Sequence, residues 1–235
     1  MESLLGAYTA ELKKRIRGWG ADLVGVADIA ALEGLRVEPL DLLDPFSRAI
    51  AIAVRLPRVI FQGIEDRPTP LYKAAYETAN RLLDEIAFKT AVHLEDAGYE
   101  SLPIPASQIL DWEGLYGAVS HKAVARVAGL GWQGKSLLLV TPQYGPRVRL
   151  VTVLTQAPLD PDSPLENRCG ECNNCRDACP AEAIKGVNTE HHYKDREEAL
   201  FFSRCVDQTV NRFAKLPGIG TPICGICIKV CPYAD

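Results

Sequence analysis

The hydrophobic positions of the chain change period several times, and each change marks an element. Leu5, Tyr8, Leu12, Ile16 and Trp19 recur every three or four residues, with Lys13, Lys14 and Arg17 on the other side, which predicts an amphipathic helix over residues 4–19. Ala21–Val26 (ADLVGV) then reads as a short buried strand. Arg48–Leu56 (RAIAIAVRL), which alternates Ile and Val with Ala, reads as a second. From Leu71 to about Ala97 the apolar positions Leu71, Ala75, Ala79, Leu82, Ile86, Ala87 and Leu94 return to helical spacing, and Gly98 is placed to end this longest helix. Two prolines keep Ser101–Ala106 extended. Ser120 suits the N-cap of a helix that runs through HKAVARVA and stops at Gly129. Beyond it, Ser136–Thr141 and Arg147–Thr155 read as two strands joined by a turn or hairpin loop over Pro142–Pro146.

The segment Ala157–Asn167 (APLDPDSPLEN), with its three prolines and acidic residues, breaks this pattern and is the best linker. Helices and strands before it do not alternate strictly. The pattern therefore predicts an α+β chain in two parts, a mixed α/β domain over 1–160 and a small cysteine-rich module over 161–235. Composition adds that the chain is an ordinary globular one, with 47% hydrophobic and 24% charged residues among 235. A net charge of −4 gives no broad footprint for nucleic acid, so neither tRNA nor any other nucleic acid is expected as a partner. No apolar run reaches the roughly 18 residues of a membrane span, and the N-terminus lacks a signal-peptide core. A cytoplasmic protein without membrane contact is expected.

The cysteines change the picture most. All eight lie between Cys169 and Cys231. A reducing compartment disfavours disulfides, so clustered thiols point to metal. Cys169-x2-Cys172-x2-Cys175-x3-Cys179-Pro180 is the bacterial ferredoxin run, in which three thiolates hold one cluster and the fourth reaches the other. Cys205, eighteen residues, then Cys224-x2-Cys227-x3-Cys231-Pro232 repeats it with a stretched first interval. Crossed ligation assigns Cys169, Cys172, Cys175 and Cys231 to one 4Fe–4S cluster, and Cys179, Cys205, Cys224 and Cys227 to the second. Zinc fingers use paired CxxC arms and do not show this third and fourth cysteine.

Gly129–Ser136 (GLGWQGKS) matches both a dinucleotide fingerprint and a Walker A loop. Both mechanisms need a strand before the loop and a helix after it, so that the helix N-terminus meets phosphate. Here a helix precedes and a strand follows, the opposite polarity, which argues against a nucleoside triphosphate. A glycine C-cap explains part of the pattern, but not Gly134-Lys135 or Trp132, which looks exposed in the same turn.

SHKAVARVAGLGWQGKSLLLVTPQYGPRVRLVTVLTQAPLDPD, running into CGECNNCRDACPAEAI, is similar to the core shared by epoxyqueuosine reductases and reductive dehalogenases. ADLVGVAD and GYESLPIPAS also resemble that family. The resemblance implies a nitroreductase-like α/β cofactor domain that holds cobalamin, followed by a bacterial-ferredoxin-like double-cluster module. It implies that Gly129, Gly131, Trp132, Gly134, Lys135 and Arg147 line the cofactor. It further implies electrons from ferredoxin or flavodoxin, delivered to a small-molecule substrate or to a corrinoid protein. The family's catalytic aspartate is absent from the matching GLYGAVSHK segment, since Asp111 and Glu113 lie earlier, and Tyr116 and His121 are the candidate proton donors there. The chain ends four residues after Cys231, where epoxyqueuosine reductases continue into helical repeats, and it carries no twin-arginine signal of the dehalogenases, so a short form is expected. Two other functions stay open: an electron-transfer protein or corrinoid-protein reductase without its own substrate chemistry, and a reductase that uses FMN.

Overall fold

The computed structural model describes residues 4–234, which fall into two compact units. In chain order the elements are α1 (Leu4–Gly18), β1 (Leu23–Asp28), β2 (Arg48–Arg55), α2 (Arg58–Gln62), α3 (Pro70–Asp96), β3 (Ser101–Ile104) and α4 (His121–Val127). They continue with β4 (Trp132–Gln133), β5 (Leu139–Val140), β6 (Val148–Thr155), α5 (Asn174–Asp177), α6 (Arg196–Ala199), α7 (Phe202–Val206) and α8 (Ile226–Lys229). The first unit takes residues up to Val54, Ala79–Gly131 and Arg149–Leu165; the second takes Arg55–Thr78, Trp132–Val148 and the chain from Glu166. The single boundary read at 160/161 thus has a counterpart at Leu165/Glu166. The second unit also draws in two earlier stretches that no shift of composition announces.

The first unit is organised by a four-stranded sheet in the order β1-β2-β6-β3. β1 runs antiparallel to β2, with Leu23 opposite Ala53 and Asp28 opposite Arg48, and β3 runs antiparallel to β6, with Ser101 opposite Thr155. Six consecutive residues of β2, Ala49–Val54, are buried, as an inner strand covered on both faces requires. Its alternation puts Ile on one face and Ala on the other. α1 and α4 both pack against β1. Gly25 makes this close approach possible, because a Cβ there would stand 2.1 Å from the Ala128 carbonyl oxygen.

α1 buries Leu12 and Ile16 as its period predicts. In α3, Ala79, Ile86, Ala87 and Leu94 are buried as the period predicts, but not every expected position is. Leu71 is 75% exposed and Leu82 half-buried, while Tyr72 and Leu83 take the inner positions. Tyr72 is drawn inward by the Phe61 ring, 5.0 Å away within the second unit. Gly98, at φ 88°, follows the helix end, with Tyr99 N–H bonded to the Leu94 carbonyl at 3.0 Å.

The linker 157–167 carries no regular structure, yet its first half is pinned to the first unit. Asp162 pairs with Lys13 at 2.6 Å and accepts from Val26 N–H at 2.7 Å. Asp160 N–H donates to Thr9 Oγ1 at 2.9 Å, and Ala157 and Leu159 are fully buried.

A further expectation is corrected in the second unit. Ser136–Thr141 is not one strand hairpinned to Arg147–Thr155. Instead β5 pairs back on β4, Trp132 opposite Val140 and Gln133 opposite Leu139, while β6 joins the main sheet. Leu137, at φ 64°, closes the turn by donating its N–H to the Gly134 carbonyl at 2.9 Å. Periodicity identified the apolar run but not its partner, which lies inside the glycine motif itself.

Candidate iron–sulfur site and its braces

The eight cysteines occupy the second unit, every one partly buried and outside any disulfide. Short helices present them. α5 carries Cys175 and α8 carries Cys227, and the two helices pack together, with Asn174 Nδ2 donating to the Val230 carbonyl at 3.4 Å. Gly225 begins α8 from a left-handed conformation (φ 86°), and a Cβ there would meet Ile64 Cδ1 at 2.6 Å. This explains why residues 55–78 belong to this unit. Lys229 Nζ also donates to the Ile64 carbonyl.

The cysteines that act on one another through charge are mostly members of the same expected group, with one pairing across the two groups. Burial pushes the Cys231 thiol up to about 11, and its cysteine neighbours are Cys169, Cys175 and Cys172. Burial likewise raises Cys224 to about 11, with Cys205 and Cys179 as neighbours. Cys175 is raised by burial and then by Cys169, and Cys227 by burial and then by Cys224, Cys205, Cys175 and Cys179, so Cys175 and Cys227 stand near one another across the two groups. Cys231, last in sequence, therefore stands with the first three cysteines, and Cys179 stands with the last group. Among the described residues no three His, Cys, Asp or Glu side chains close on one metal ion. A cubane gives each thiolate its own iron, so it suits a more widely spread set.

Main-chain N–H groups already point at several sulfurs. Ala183 N–H donates to Cys179 Sγ at 3.4 Å, and the thiols of Cys175, Cys224 and Cys231 are held down by N–H groups of Arg176, Ile226 and Tyr233. A small apolar cluster of Leu137, Ile184, Tyr193, Ala199 and Leu200 packs beside Cys175, Cys179 and Cys227. Burial raises the pKa of Tyr193, whose hydroxyl donates to the Val187 carbonyl at 2.7 Å.

The glycine motif is split by the unit boundary. Gly129, at φ 71°, ends α4 in the first unit, where a Cβ would meet Ser163 O at 2.6 Å; Gly131 is buried at the end of that stretch. From Trp132 onward the motif belongs to the second unit and serves the cysteine loop. Trp132 is 1% exposed, which corrects its exposed reading, and its Nε1–H donates to Cys169 Sγ at 3.4 Å. Its ring stands edge-on to Tyr233 at 4.9 Å, and Tyr233 Oη donates to the Arg168 carbonyl at 3.1 Å. Gln133 Oε1 accepts from Tyr193 N–H at 3.0 Å. A Cβ on Gly134 would lie 3.4 Å from Cys169 Sγ. Lys135, 6% exposed, donates to the Cys172 carbonyl at 3.0 Å and to Asn173 Oδ1 at 3.3 Å.

The remaining sequence-predicted residues lie elsewhere. Arg147 is buried in the second unit, donating to the Ala234 carbonyl at 2.6 Å and the Leu56 carbonyl at 2.8 Å. Tyr116 and His121 belong to the first unit. The Tyr116 ring lies 3.7 Å under the Arg36 guanidinium. His121 Nε2 bonds the Pro105 carbonyl at 3.1 Å, and Nδ1 meets Thr152 Oγ1 at 2.8 Å. A carbonyl only accepts, so Nε2 carries the proton and Nδ1 accepts from the threonine. Desolvation by burial, aided by Arg149 and Lys122, lowers this histidine to about 4, so it is neutral at pH 7.

Sequence reasoning missed Asn167. Its Oδ1 accepts from Cys169 N–H at 2.8 Å, while its Nδ2 donates to Gln133 O at 3.2 Å and Thr189 O at 2.7 Å. An Asn two residues before a ligand cysteine was the available signal.

Residues 168–234 match the family described as "4Fe-4S double cluster binding domain". Epoxyqueuosine reductase of Listeria monocytogenes is 35% identical over 117 residues, which are 50% of this chain and 30% of that enzyme. The chain therefore matches less than a third of that relative's length. A solved epoxyqueuosine reductase bound to a tRNA-Tyr stem loop superposes with TM-score 0.66 at 25% identity, covering 98% of this chain and 66% of that one. A reductive dehalogenase structure described in terms of B12-dependent dehalogenation gives TM-score 0.75 at 21% identity, over 100% of this chain and 33% of that one. With its mixed helix and strand fold and its double-cluster module, the chain is a relative of the epoxyqueuosine reductases and reductive dehalogenases.

Proposed function

We propose that the protein is an iron–sulfur oxidoreductase that passes low-potential electrons through two 4Fe–4S clusters to a redox cofactor and on to a substrate. The observation that carries this is the double run of cysteines, Cys169 to Cys179 and Cys205 to Cys231, in the stretch 168–234 that matches the double-cluster family; the crossed assignment of Cys231 to the first group and Cys179 to the second belongs to the proposal. Two clusters in one crossed module accept electrons singly, from a carrier of the ferredoxin or flavodoxin class, and two such steps complete a two-electron reduction. A nitroreductase-like first unit and a cytoplasmic setting belong to the same proposal; among the described residues no helix is long and apolar enough to cross a membrane.

Cobalamin, when bound, supplies cobalt-centred reduction. The side chains first named for it do not fit that part: Trp132 and Lys135 engage the cysteine loop, and Arg147 engages two carbonyls. The cobalamin proposal therefore rests on the relatives, and no residue of this chain is assigned to it. The tRNA stem loop bound by the solved relative bears against the expectation that nucleic acid plays no part. A nucleic-acid substrate stands beside a small molecule in the proposal.

One observation favours the alternative of an electron-transfer protein or corrinoid-protein reductase. The segment Gly114–Lys122 holds no acid, and Asp111 is spent on its own loop, accepting from Gly114 N–H at 2.8 Å and pairing with Arg36 at 2.8 Å.

Anaerobically purified protein should contain about eight irons per chain and absorb broadly near ~400 nm. Two to four zincs in their place would overturn the cluster assignment. A band shift on adding cob(II)alamin supports the cobalamin part; retention of FMN without such a shift replaces it with flavin. Binding of a tRNA anticodon stem loop, measured alongside, separates the two substrate classes.

A further inference from the structure

The two four-cysteine sites do not receive the same surroundings. At Cys179 and Cys224 the donors to sulfur are main-chain N–H groups, from Ala183 and Ile226. At the other site a side chain takes part, since the buried Trp132 indole donates to Cys169 Sγ at 3.4 Å. Three residues on, Lys135 anchors its Nζ to Cys172 O and Asn173 Oδ1, so a positive charge sits against the loop between two ligand cysteines. Gly134 lets this turn pack tightly, because a Cβ there would stand 2.9 Å from Val140 Cγ2. The indole is fixed by its edge-on contact with Tyr233 and by the Arg168 guanidinium, 5.8 Å over its ring.

Reduction adds an electron, hence negative charge, to a cluster and its thiolates. A hydrogen bond to a ligand sulfur and a nearby cation both stabilise the reduced form more than the oxidised one, and so raise the potential. We propose that Trp132 and Lys135 set the potential of the cluster held by Cys169, Cys172, Cys175 and Cys231, raising it above that of its neighbour. They are positioning residues for electron flow. This rests on the double-cluster reading above.

The test is an EPR-monitored redox titration of the full chain with both clusters in place. Trp132→Phe keeps the ring and removes the N–H. It should lower the potential of one cluster, leave the other unchanged and keep iron at about eight per chain. Lys135→Gln should lower the same cluster. Unchanged potentials in both variants, or an equal shift of both clusters, would overturn the tuning role. A measurement on unaltered protein guards against a variant that fails to fold. With 15N-tryptophan incorporated, the reduced cluster should show hyperfine coupling to an indole nitrogen, and its absence defeats the proposal. Iron far below eight in the unaltered protein defeats the double-cluster reading instead, so the two failures are distinguishable.

Discussion

The two compact units keep their order by different means. The first has the sheet, with Ile50, Ile52, Val151, Val153 and Leu154 fully buried. The second has the four- or five-residue helices α2, α5, α6 and α8, an α7 that runs on into a π-helical turn over Asp207–Arg212, the start of α3, and a hairpin of two-residue strands. Helices shorter than about 12 residues are marginal by themselves in water. Side-chain braces such as Asn167 and Lys135, and the two clusters proposed for its cysteines, are the means by which the second unit offsets its lack of regular structure. The lesson is that one chain combines a fold stable by burial with one that depends on its ligands.

The strongest way to break this contrast is to remove the iron. Chelation under anaerobic, reducing conditions should abolish hydrogen-exchange protection through Glu166–Ala234, while β1, β2, β3 and β6 remain protected. Simultaneous loss in both units, or in neither, would show the contrast to be false. The converse damage comes from Gly25→Ala. Its Cβ meets the Ala128 carbonyl oxygen, a backbone atom that cannot swing aside, so thermal unfolding should report a loss of about 3 kcal/mol or more. Iron incorporation at the permissive temperature should be unaffected.

His121 sharpens the contrast through pH. Its folded pKa, about 4, lies below the unfolded value of 6.5, so folding favours the neutral ring. The contribution is complete above pH 6.5 and is lost as pH falls towards 4, by up to about 3 kcal/mol. His121→Gln should flatten that part of the stability profile of the first unit relative to unaltered protein; parallel profiles would show that the ring is not buried neutral. Asn167→Ala removes a bond to Cys169 N–H and two to carbonyls, costing about 1 to 2 kcal/mol and quickening iron loss from the second unit. Leu71→Ser, on the exposed face of α3, should stay within about 0.5 kcal/mol, whereas a large loss would restore its sequence-predicted inner position.

Much of the first unit was legible because its elements are long enough to show a period. Leu12 and Ile16 in α1, and the Ile/Ala alternation of β2, each repeat a burial pattern that local sequence records. The double-cluster module was legible too, because cluster ligation imposes its own spacing on the cysteines. Trp132 shows where legibility stops. An isolated tryptophan beside glycines carries no period, and its hydrogen-bond partner lies 37 residues on. The inward turn of Tyr72 in place of Leu71 has the same origin, since Phe61 and Gly225 decide it from distant positions. Sequence pattern reports that a residue is buried more readily than what buries it.

The chain changes unit five times, after Val54, Thr78, Gly131, Val148 and Leu165. This threading bears on modularity. A ferredoxin-like segment cut out at residue 161, or swapped in as a cassette, would leave behind both the Trp132–Val148 stretch and the Arg55–Thr78 stretch. Recombination at a single crossover would therefore separate the clusters from part of their own support. In this protein the cysteine-rich module is inherited with its support or not at all.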